Sequence, residues 1–205
     1  MHALRQTVIA TSLMLALTLV ALAAGAFAQT FTFTTIDVPG ATETFAYGIN
    51  AAGRIVGFYF DSSGASHGFL LDQDTFTNPI DVPGASLTFA YGINAAGQIV
   101  GEYVSSGASH GFLLDKGTFT TIDVDVEGAT DTAAGRINAA GQIVGLYVDS
   151  NGVSHGFLLD KGAFTTIDVD VKGATDTQAT GINNRGQIVG FYFDDQGNIH
   201  GFVAQ

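Results

Sequence analysis

The sequence predicts an all-β protein built from four copies of one small antiparallel unit. The segment Ile-Asn-x-x-Gly-x-Ile-Val-Gly recurs with a period of about 44 residues, and a fixed period of this length is typical of solenoids, propellers and arrays. Outside the N-terminal apolar run no segment has a helical period, whereas short β-branched and aromatic runs alternate with Gly, Asn and Asp turns. The four copies cover residues 49–57, 93–101, 137–145 and 182–190.

Each repeat contains four strand patterns separated by turns. In the first repeat they cover residues 33–38, 45–50, 54–60 and 67–72. The connections after the second, third and fourth patterns are short and rich in Asn, Asp and Gly, which is typical of hairpins. The connection that begins with Pro39-Gly40 is longer and indicates a crossover. The sheet unit is therefore the last three patterns of one repeat plus the first pattern of the next.

This division leaves residues 31–38 without a sheet at the start and leaves the last sheet, residues 180–204, one strand short. We expect residues 31–38 to pair with that last sheet. The pairing would close four four-stranded antiparallel blades into a small β-propeller, which removes exposed sheet edges. An open solenoid is the main alternative and predicts polar capping repeats, which the sequence does not show. A β-prism or an irregular sandwich are the others.

The first 28 residues resemble a secretory signal peptide. Arg5 provides a basic start, residues 8–24 are almost uninterruptedly apolar, and Ala26-Phe27-Ala28 is a small-x-small cleavage site. A membrane anchor is the alternative, since the apolar run is near the lower limit of a spanning helix, but no basic flank follows it. We expect residues 1–28 to be removed on export to the periplasm or the extracellular space. Residues 29–205 would then form one repeat domain with no membrane segment.

Composition narrows the partners. The chain has 19 Asp and Glu against 7 Lys and Arg, a formal net charge of −12, and such a surface repels phosphate, so we expect no nucleic acid partner. It has no Cys, 16 Phe and 6 Tyr, so stability must come from an aromatic and aliphatic core. We expect a monomer.

The repeats differ most on the strand expected nearest the propeller axis. Phe45 and Tyr47 recur as Phe89 and Tyr91, whereas the third and fourth repeats have Ala and Gly or Gln and Thr at these positions, and Arg136 replaces a Gly. Aromatic faces beside polar groups suit sugar or peptide ligands, although packing between blades is the alternative. The candidate ligand-binding residues are Phe45, Tyr47, Phe89, Tyr91 and Arg136.

Three Gly-x-Ser-x-Gly segments place Ser66, Ser109 and Ser154 beside a His. A hydrolase nucleophile of this motif sits between a strand and a helix, but here each motif leads from a turn into a strand pattern. We therefore expect no enzyme. A hydrolase that uses acidic residues is the weak alternative, although spacing alone identifies no carboxylate pair.

Two further patterns resemble metal sites. The first is one His per repeat, on a strand too far from the axis for four rings to reach one ion, so we expect each ring to hydrogen-bond a neighbouring turn. The second is Asp123-x-Asp125-x-Glu127, which looks like the start of a calcium loop, but its twelfth position is Ala134. We interpret it as a solvated acidic strand end and expect no cofactor, with calcium as the alternative.

The repeated His of the first pattern occurs once in each repeat, at His67, His110, His155 and His200.

Ile-Asn-x-x-Gly-Gln-Ile-Val-Gly followed by His-Gly-Phe-Leu resembles the HAF family of bacterial extracellular repeats, named for a His-Ala-Phe core. The resemblance covers residues 31–205, with Gly in place of the family's Ala. It implies export and a repeat fold, and it implies no reaction. We expect an exported, non-enzymatic binding module for a glycan or a protein. A structural or surface-interaction scaffold without a small ligand is the alternative. The Gly that replaces the family's Ala in each His-Gly-Phe is found at Gly68, Gly111, Gly156 and Gly201.

Overall fold

The computed structural model describes residues 30–205, so the expected signal peptide and its cleavage site lie outside the described residues. The chain divides into two compact units, Met1–Thr34 and Thr35–Gln205. Residues 30–34 of the first unit have no regular secondary structure, and the second unit contains every strand described below. Within residues 30–205 no helix is long and apolar enough to cross a membrane.

The second unit consists of four antiparallel sheets, which confirms the predicted all-β class and the repeated sheet unit. Strands within each sheet follow chain order, as expected for strands joined by hairpins. Sheet 1 contains β1 (Glu43–Ile49), β2 (Ile55–Phe60), β3 (Ser66–Asp72) and β4 (Thr75–Ile80). Sheet 2 contains β5 (Leu87–Ile93), β6 (Ile99–Ser105), β7 (Ala108–Asp115) and β8 (Thr118–Ile122). Sheet 3 contains β9 (Ala129–Ile137), β10 (Ile143–Asp149), β11 (Ser154–Asp160) and β12 (Ala163–Ile167). Sheet 4 contains β13 (Ala174–Ile182), β14 (Ile188–Asp194) and β15 (Ile199–Ala204).

The turn after the first strand of each sheet is built by an Asn. In sheet 1, Oδ1 of Asn50 accepts hydrogen bonds from the backbone N–H groups of Ala52 at 3.0 Å and Arg54 at 3.1 Å. Gly53 completes the turn with a φ of 79°, a conformation that costs Gly little. The same Asn also joins neighbouring sheets, because Nδ2 of Asn50 donates to the carbonyl of Asn94 at 3.0 Å.

The first strands of successive sheets, β1, β5, β9 and β13, lie side by side, and we call them the leading strands. Each leading strand contains a one-residue bulge. In sheet 1, Ala46 pairs with Gly57 and Gly48 pairs with Val56, so Tyr47 is skipped by the pairing. A Cβ at Gly57 would collide with the carbonyl oxygen of Phe45, which explains the Gly opposite the bulge. At this shared bulge position the skipped residues of sheets 1 to 4 are Tyr47, Tyr91, Gly135 and Thr180, and β9 and β13 each have a further irregularity near their start.

The core lies between sheets rather than inside one barrel. One face of each of sheets 1 to 3 packs on the leading strand of the next sheet, and the Val of the Ile-Val-Gly segment lies at this contact. Val56, Val100 and Val144 are fully buried. The buried cluster between sheets 1 and 2, for example, contains Val56 from the first sheet together with Ala90 from the second.

The predicted ring closure is wrong. Residues 31–38 form no strand, sheet 4 has three strands, and contacts join each sheet only to its neighbour in sequence, with none of comparable extent between sheets 4 and 1 among the described residues. Val189, the equivalent of Val56, Val100 and Val144 in the fourth repeat, is 49% exposed. Strand counting cannot fix the rotation between neighbouring sheets, and that rotation decides whether four of them close. The sheets form an open row from sheet 1 to sheet 4.

Candidate functional site

A cleft of about 370 Å³ lies along the leading strands. It is lined by the skipped residue of every sheet, namely Tyr47, Tyr91, Gly135 and Thr180. A bulge re-aims the side chain of the extra residue, which is why bulges are frequent beside binding sites. The four sheets therefore present a different side chain at the same structural position: two phenols, an open space and a hydroxyl.

Glu102 places a carboxylate in this cleft. It lies on β6 and pairs with Phe89 of the leading strand. Its Oε2 accepts a hydrogen bond from the hydroxyl of Tyr91 at 3.3 Å, and its Oε1 accepts one from the hydroxyl of Ser109 at 2.7 Å. Burial, and then the charge of Glu102, raises the pKa of Tyr91 well above its ordinary value. Tyr91 is therefore a neutral donor at physiological pH.

Arg136 provides the opposite charge. It lies on β9, immediately after the skipped Gly135, and its Nη1 donates to the carbonyl of Tyr91 at 3.1 Å and to that of Gly135 at 2.8 Å. These bonds hold the guanidinium across the contact between sheets 2 and 3. A guanidinium has five N–H donors, so donors remain for a bound molecule. Gln178 adds an amide to the same cleft from sheet 4.

A cluster of aromatic rings supports the cleft at sheets 1 and 2. Phe58 of β2 is its centre, with ring centroids 4.9 Å from Phe45, 5.3 Å from Tyr47 and 4.9 Å from Phe89. Tyr47 and Tyr91 are also 5.5 Å apart. Such contacts fix ring positions, so the two phenols are held in place before any ligand arrives.

The structure divides the five predicted residues into two groups. Tyr47, Tyr91 and Arg136 line the cleft. Phe45 and Phe89 are not among the residues that line the cleft, and both pack against Phe58, as the packing alternative predicts.

Glu102 and Gln178 are among the cleft residues that were not predicted as ligand contacts. Glu102 follows Ile-Val-Gly, where the other repeats have Phe58, Leu146 and Phe191. A single charged residue in an otherwise apolar column of the repeat was therefore a signal available in the sequence.

The His residues take the predicted structural role. His67 hydrogen-bonds Asp81 through Nδ1 at 2.9 Å and Asp61 of the adjacent turn through Nε2 at 3.4 Å, and its ring packs at a tilt against Tyr59 with centroids 5.2 Å apart. Burial opposes the charged ring, but the hydrogen bonds and charges of Asp81 and Asp61 outweigh it and raise the pKa of His67. His110 pairs with Asp123 in the same way.

The remaining motifs supply no reactive arrangement. Among residues 30–205 no group of three or more His, Cys, Asp or Glu side chains is placed to hold a metal. Asp123 of the calcium-like segment instead accepts a hydrogen bond from His110 at 3.0 Å. Ser66 donates to the carbonyl of Thr88 at 2.8 Å and opens a strand, so it lacks the helix that a hydrolase nucleophile requires.

No protein-family model matches this chain, and no curated protein matches it in sequence. The structure is similar to a fungal lectin, Aleuria aurantia lectin, described as a six-bladed β-propeller with a novel mode of fucose recognition. The TM-score is 0.46 at 13% identity, over 78% of this chain and 57% of that chain. It is also similar to a fucose lectin from Kordia zhangzhouensis, with a TM-score of 0.40 at 15% identity, over 61% of this chain and 97% of that chain. This chain thus spans little more than half of the fungal lectin, and neither similarity defines a shared fold.

Proposed function

We propose that this protein is an exported, non-enzymatic binding module that holds a glycan in the cleft along its leading strands. The observation that carries the proposal is the break in repeat symmetry. The same bulge position holds Tyr47, Tyr91, Gly135 and Thr180 in the four sheets, although the flanking Ile-Asn and Ile-Val-Gly segments are constant. Positions that serve only packing would be expected to repeat with the rest.

The chemistry of the cleft suits a sugar. Tyr47 and Tyr91 offer ring faces for the C–H surface of a pyranose, and pockets of a few hundred Å³ with a few convergent polar groups are typical of small-ligand sites. Glu102 accepts hydrogen bonds from hydroxyls, while Arg136 and Gln178 donate them. Both signs of charge are present, so the cleft favours a neutral polyhydroxyl ligand over a strongly charged one.

A binding role is favoured over hydrolysis by the acidic residues available. Glycoside hydrolases generally use two carboxyl groups that flank the scissile bond. Among the described residues Glu102 is the only carboxylate that lines the cleft. One carboxylate can orient a sugar, but it cannot supply both the acid and the base or nucleophile of that reaction. The HAF resemblance and the signal-like N-terminus support export as part of the same proposal.

Gly135 allows a direct test. A Cβ there would have Val144 O as its nearest neighbour, at an ordinary 3.5 Å, so Gly135→Ala should fold normally and Gly135→Tyr should fill the cleft. We expect calorimetry against a panel of neutral oligosaccharides, fucosides included, to find a ligand for the wild type. Gly135→Ala should retain it, and Gly135→Tyr should weaken it at least about tenfold.

Two results would count against the proposal. Equal affinity of Gly135→Tyr and the wild type would place the sugar elsewhere on the molecule. A panel without any binder would favour the scaffold alternative, and the search would then move to protein partners.

A further inference from the structure

Within residues 30–205, sheet 4 lacks a ring contact that sheets 1 to 3 each make. In sheets 1 to 3 the Phe of His-Gly-Phe packs edge to face against a Phe of the fourth strand of its sheet, β4, β8 or β12. We call these fourth strands the outer strands. The ring centroids are 5.7 Å apart for Phe69 and Phe76 and 5.5 Å apart for Phe112 and Phe119. The corresponding residue of sheet 4 is Phe202, and in the described part of the chain this sheet has no fourth strand. The matching sequence Phe-Thr-Thr-Ile-Asp-Val begins at Phe33, and that side chain is 94% exposed.

The His–Asp pair of sheet 4 is incomplete in the same way. Nδ1 of His110 bonds Asp123 at 3.0 Å, and the same pair recurs in sheets 1 and 3. In sheet 4 the only hydrogen-bond partner of His200 among the described residues is Asp194 of its own turn, at 3.2 Å. Asp37, four residues after Phe33, is the equivalent of Asp123 in the first copy of this segment. Among the described residues no His side chain bonds its carboxylate.

One face of sheet 4 carries exposed apolar side chains that none of residues 30–205 covers. Val189 is 49% exposed and Val203 is 59% exposed, whereas Val144, the equivalent of Val189 in sheet 3, is fully buried. A hollow of about 350 Å³ lies over this face. In sheets 1 to 3 this place is taken by the next leading strand. The leading strand without a preceding sheet is β1, and its Ala46 is exposed where Ala90 is fully buried.

The Asn ladder identifies the missing neighbour more closely. Nδ2 of Asn50 donates to the carbonyl of Asn94, that of Asn94 to Asn138 at 3.1 Å, and that of Asn138 to Asn183 at 3.1 Å. Nδ2 of Asn94 and Nδ2 of Asn138 each also donate to the Gln of their own turn. For Nδ2 of Asn183 this own-turn bond, to Gln187 at 2.8 Å, is the only one among the described residues. Among the described residues, the inter-sheet bond therefore lacks its acceptor at sheet 4 and its donor at sheet 1, where the carbonyl of Asn50 accepts the N–H of Gly53 but no Asn side chain.

We propose that copies of this chain join head to tail, with sheet 4 of one copy packed on sheet 1 of the next. Residues 33–38 of the second copy add to β15 as the fourth strand of that sheet. A second copy is the occupant because all four missing halves are found in this chain. They are the ring of Phe33, the carboxylate of Asp37, the exposed face of β1 and the carbonyl of Asn50.

The end of the proposed added strand is already packed on sheet 1 of its own copy. Val38 is 2% exposed, packs with Tyr59 and Phe69 of sheet 1, and its N–H donates to Oγ1 of Thr44 at 3.1 Å. Val82 makes the same bond to Thr88 in sheet 2. Residues 36–38 are thus held on sheet 1 in the position that an outer strand takes when it crosses to the next sheet. Because this contact joins two different surfaces, it produces a ring or a filament and replaces the monomer expected from the sequence.

Molar mass measured by light scattering over a range of concentrations tests the assembly, using protein purified after expression of the full-length sequence. We expect species larger than one chain in the wild type and only the monomer in Val189→Lys. The matched control is Val171→Lys, which changes an equally exposed Val, at 54%, in the crossover before sheet 4, and it should assemble like the wild type. A monomer at every concentration would overturn the proposal, as would oligomers that survive Val189→Lys.

Single cysteines test the register, since the chain has no Cys. Mixing Asp37→Cys with His200→Cys should give a disulfide-linked pair of the two variants under oxidation, and the double variant should give linked multimers. The double variant His110→Cys with Asp123→Cys, whose cysteines lie in the same sheet, is the control. On a non-reducing gel it shows the mobility of a chain with a disulfide inside one sheet. A double variant that forms only a cyclised monomer would refute assembly between copies, because the N-terminal segment would then complete its own sheet 4.

Discussion

The hydroxyl of Tyr91 donates a hydrogen bond to Oε2 of Glu102 across 3.3 Å. The two residues belong to adjacent strands of sheet 2, and the bond exists because the bulge directs Tyr91 toward the cleft. Ser109 holds the second carboxylate oxygen at 2.7 Å. Glu102, the one carboxylate that lines the cleft within residues 30–205, is thus fixed by two hydroxyls from its own sheet, and its position does not depend on a bound ligand.

Glu102→Gln should lower the pKa of Tyr91. Burial is the larger cause of the raised pKa and the Glu102 charge the next, so the variant should stay above the ordinary value of 10.0. A raised folded-state pKa contributes stability that is present below the unfolded pKa and is lost as pH rises through the folded one. The variant should therefore lose less stability at high pH. Tyrosinate absorbance during alkaline titration measures this, with Tyr91→Phe to identify the signal. An unchanged Tyr91 titration would contradict the coupling.

Gly145→Ala should destabilise the fold much more than Gly135→Ala. A Cβ at Gly145 would collide with the carbonyl oxygen of Ala133, opposite the bulge of sheet 3. At Gly135 the nearest atom would be Val144 O at 3.5 Å, an ordinary contact. Thermal unfolding of the two variants compares the same substitution on two paired strands. Similar melting temperatures would mean that the bulge relaxes at little cost.

Phe112→Ala should cost about 3–5 kcal/mol of unfolding free energy, because it leaves a cavity at a fully buried ring. Phe112 is 0% exposed and packs in the cluster between sheets 1 and 2. Phe202→Ala changes the same residue of the repeat in sheet 4, where the ring is only partly buried, and should cost clearly less. Urea unfolding at low protein concentration, where any assembly is dissociated, gives both values. Equal costs would indicate that the end sheet is covered even in the monomer.

Acid should destabilise the first sheet through Asp61. The hydrogen bond from the Ser63 hydroxyl, with further bonds from backbone N–H groups, lowers the pKa of Asp61 from 3.8 to about 2. A lowered pKa contributes stability that is present above the unfolded value and is lost as pH falls through the folded one. Asp61→Asn should therefore flatten the fall in unfolding free energy between these two pH values. Asp74→Asn removes a charge from another exposed turn and serves as the control. An identical pH profile for Asp61→Asn would refute the role of this turn.

Much of the fold could be predicted from the sequence because each repeat restates the same local rules. The predicted pattern at residues 54–60 became β2, Ile55–Phe60, and the pattern at 67–72 became β3, Ser66–Asp72. The turn at Asn50 and Gly53 and the hydrogen-bonded His67 follow from the side-chain chemistry of these residue types. These features depend on neighbours a few residues apart, where sequence patterns are most informative.

The closure of the ring and half of the site depend on quantities that no pattern encodes. The rotation between packed sheets is set by side-chain volumes at three interfaces, so counting strands could not show that sheet 4 stops short of sheet 1. The bulge at Tyr47 is a one-residue register shift, and it decides that Tyr47 faces the cleft while Phe45 packs against Phe58. Glu102 could have been found by comparing the repeats column by column.

The bulge has a consequence for how such a protein can diversify. Because the strand pairing skips Tyr47, Tyr91, Gly135 and Thr180, the ladder places no demand on the identity of these side chains. Each repeat therefore carries one position that can be exchanged without disturbing the frame around it. A chain made of such units can acquire a new selectivity by point substitutions alone, with its scaffold unaltered.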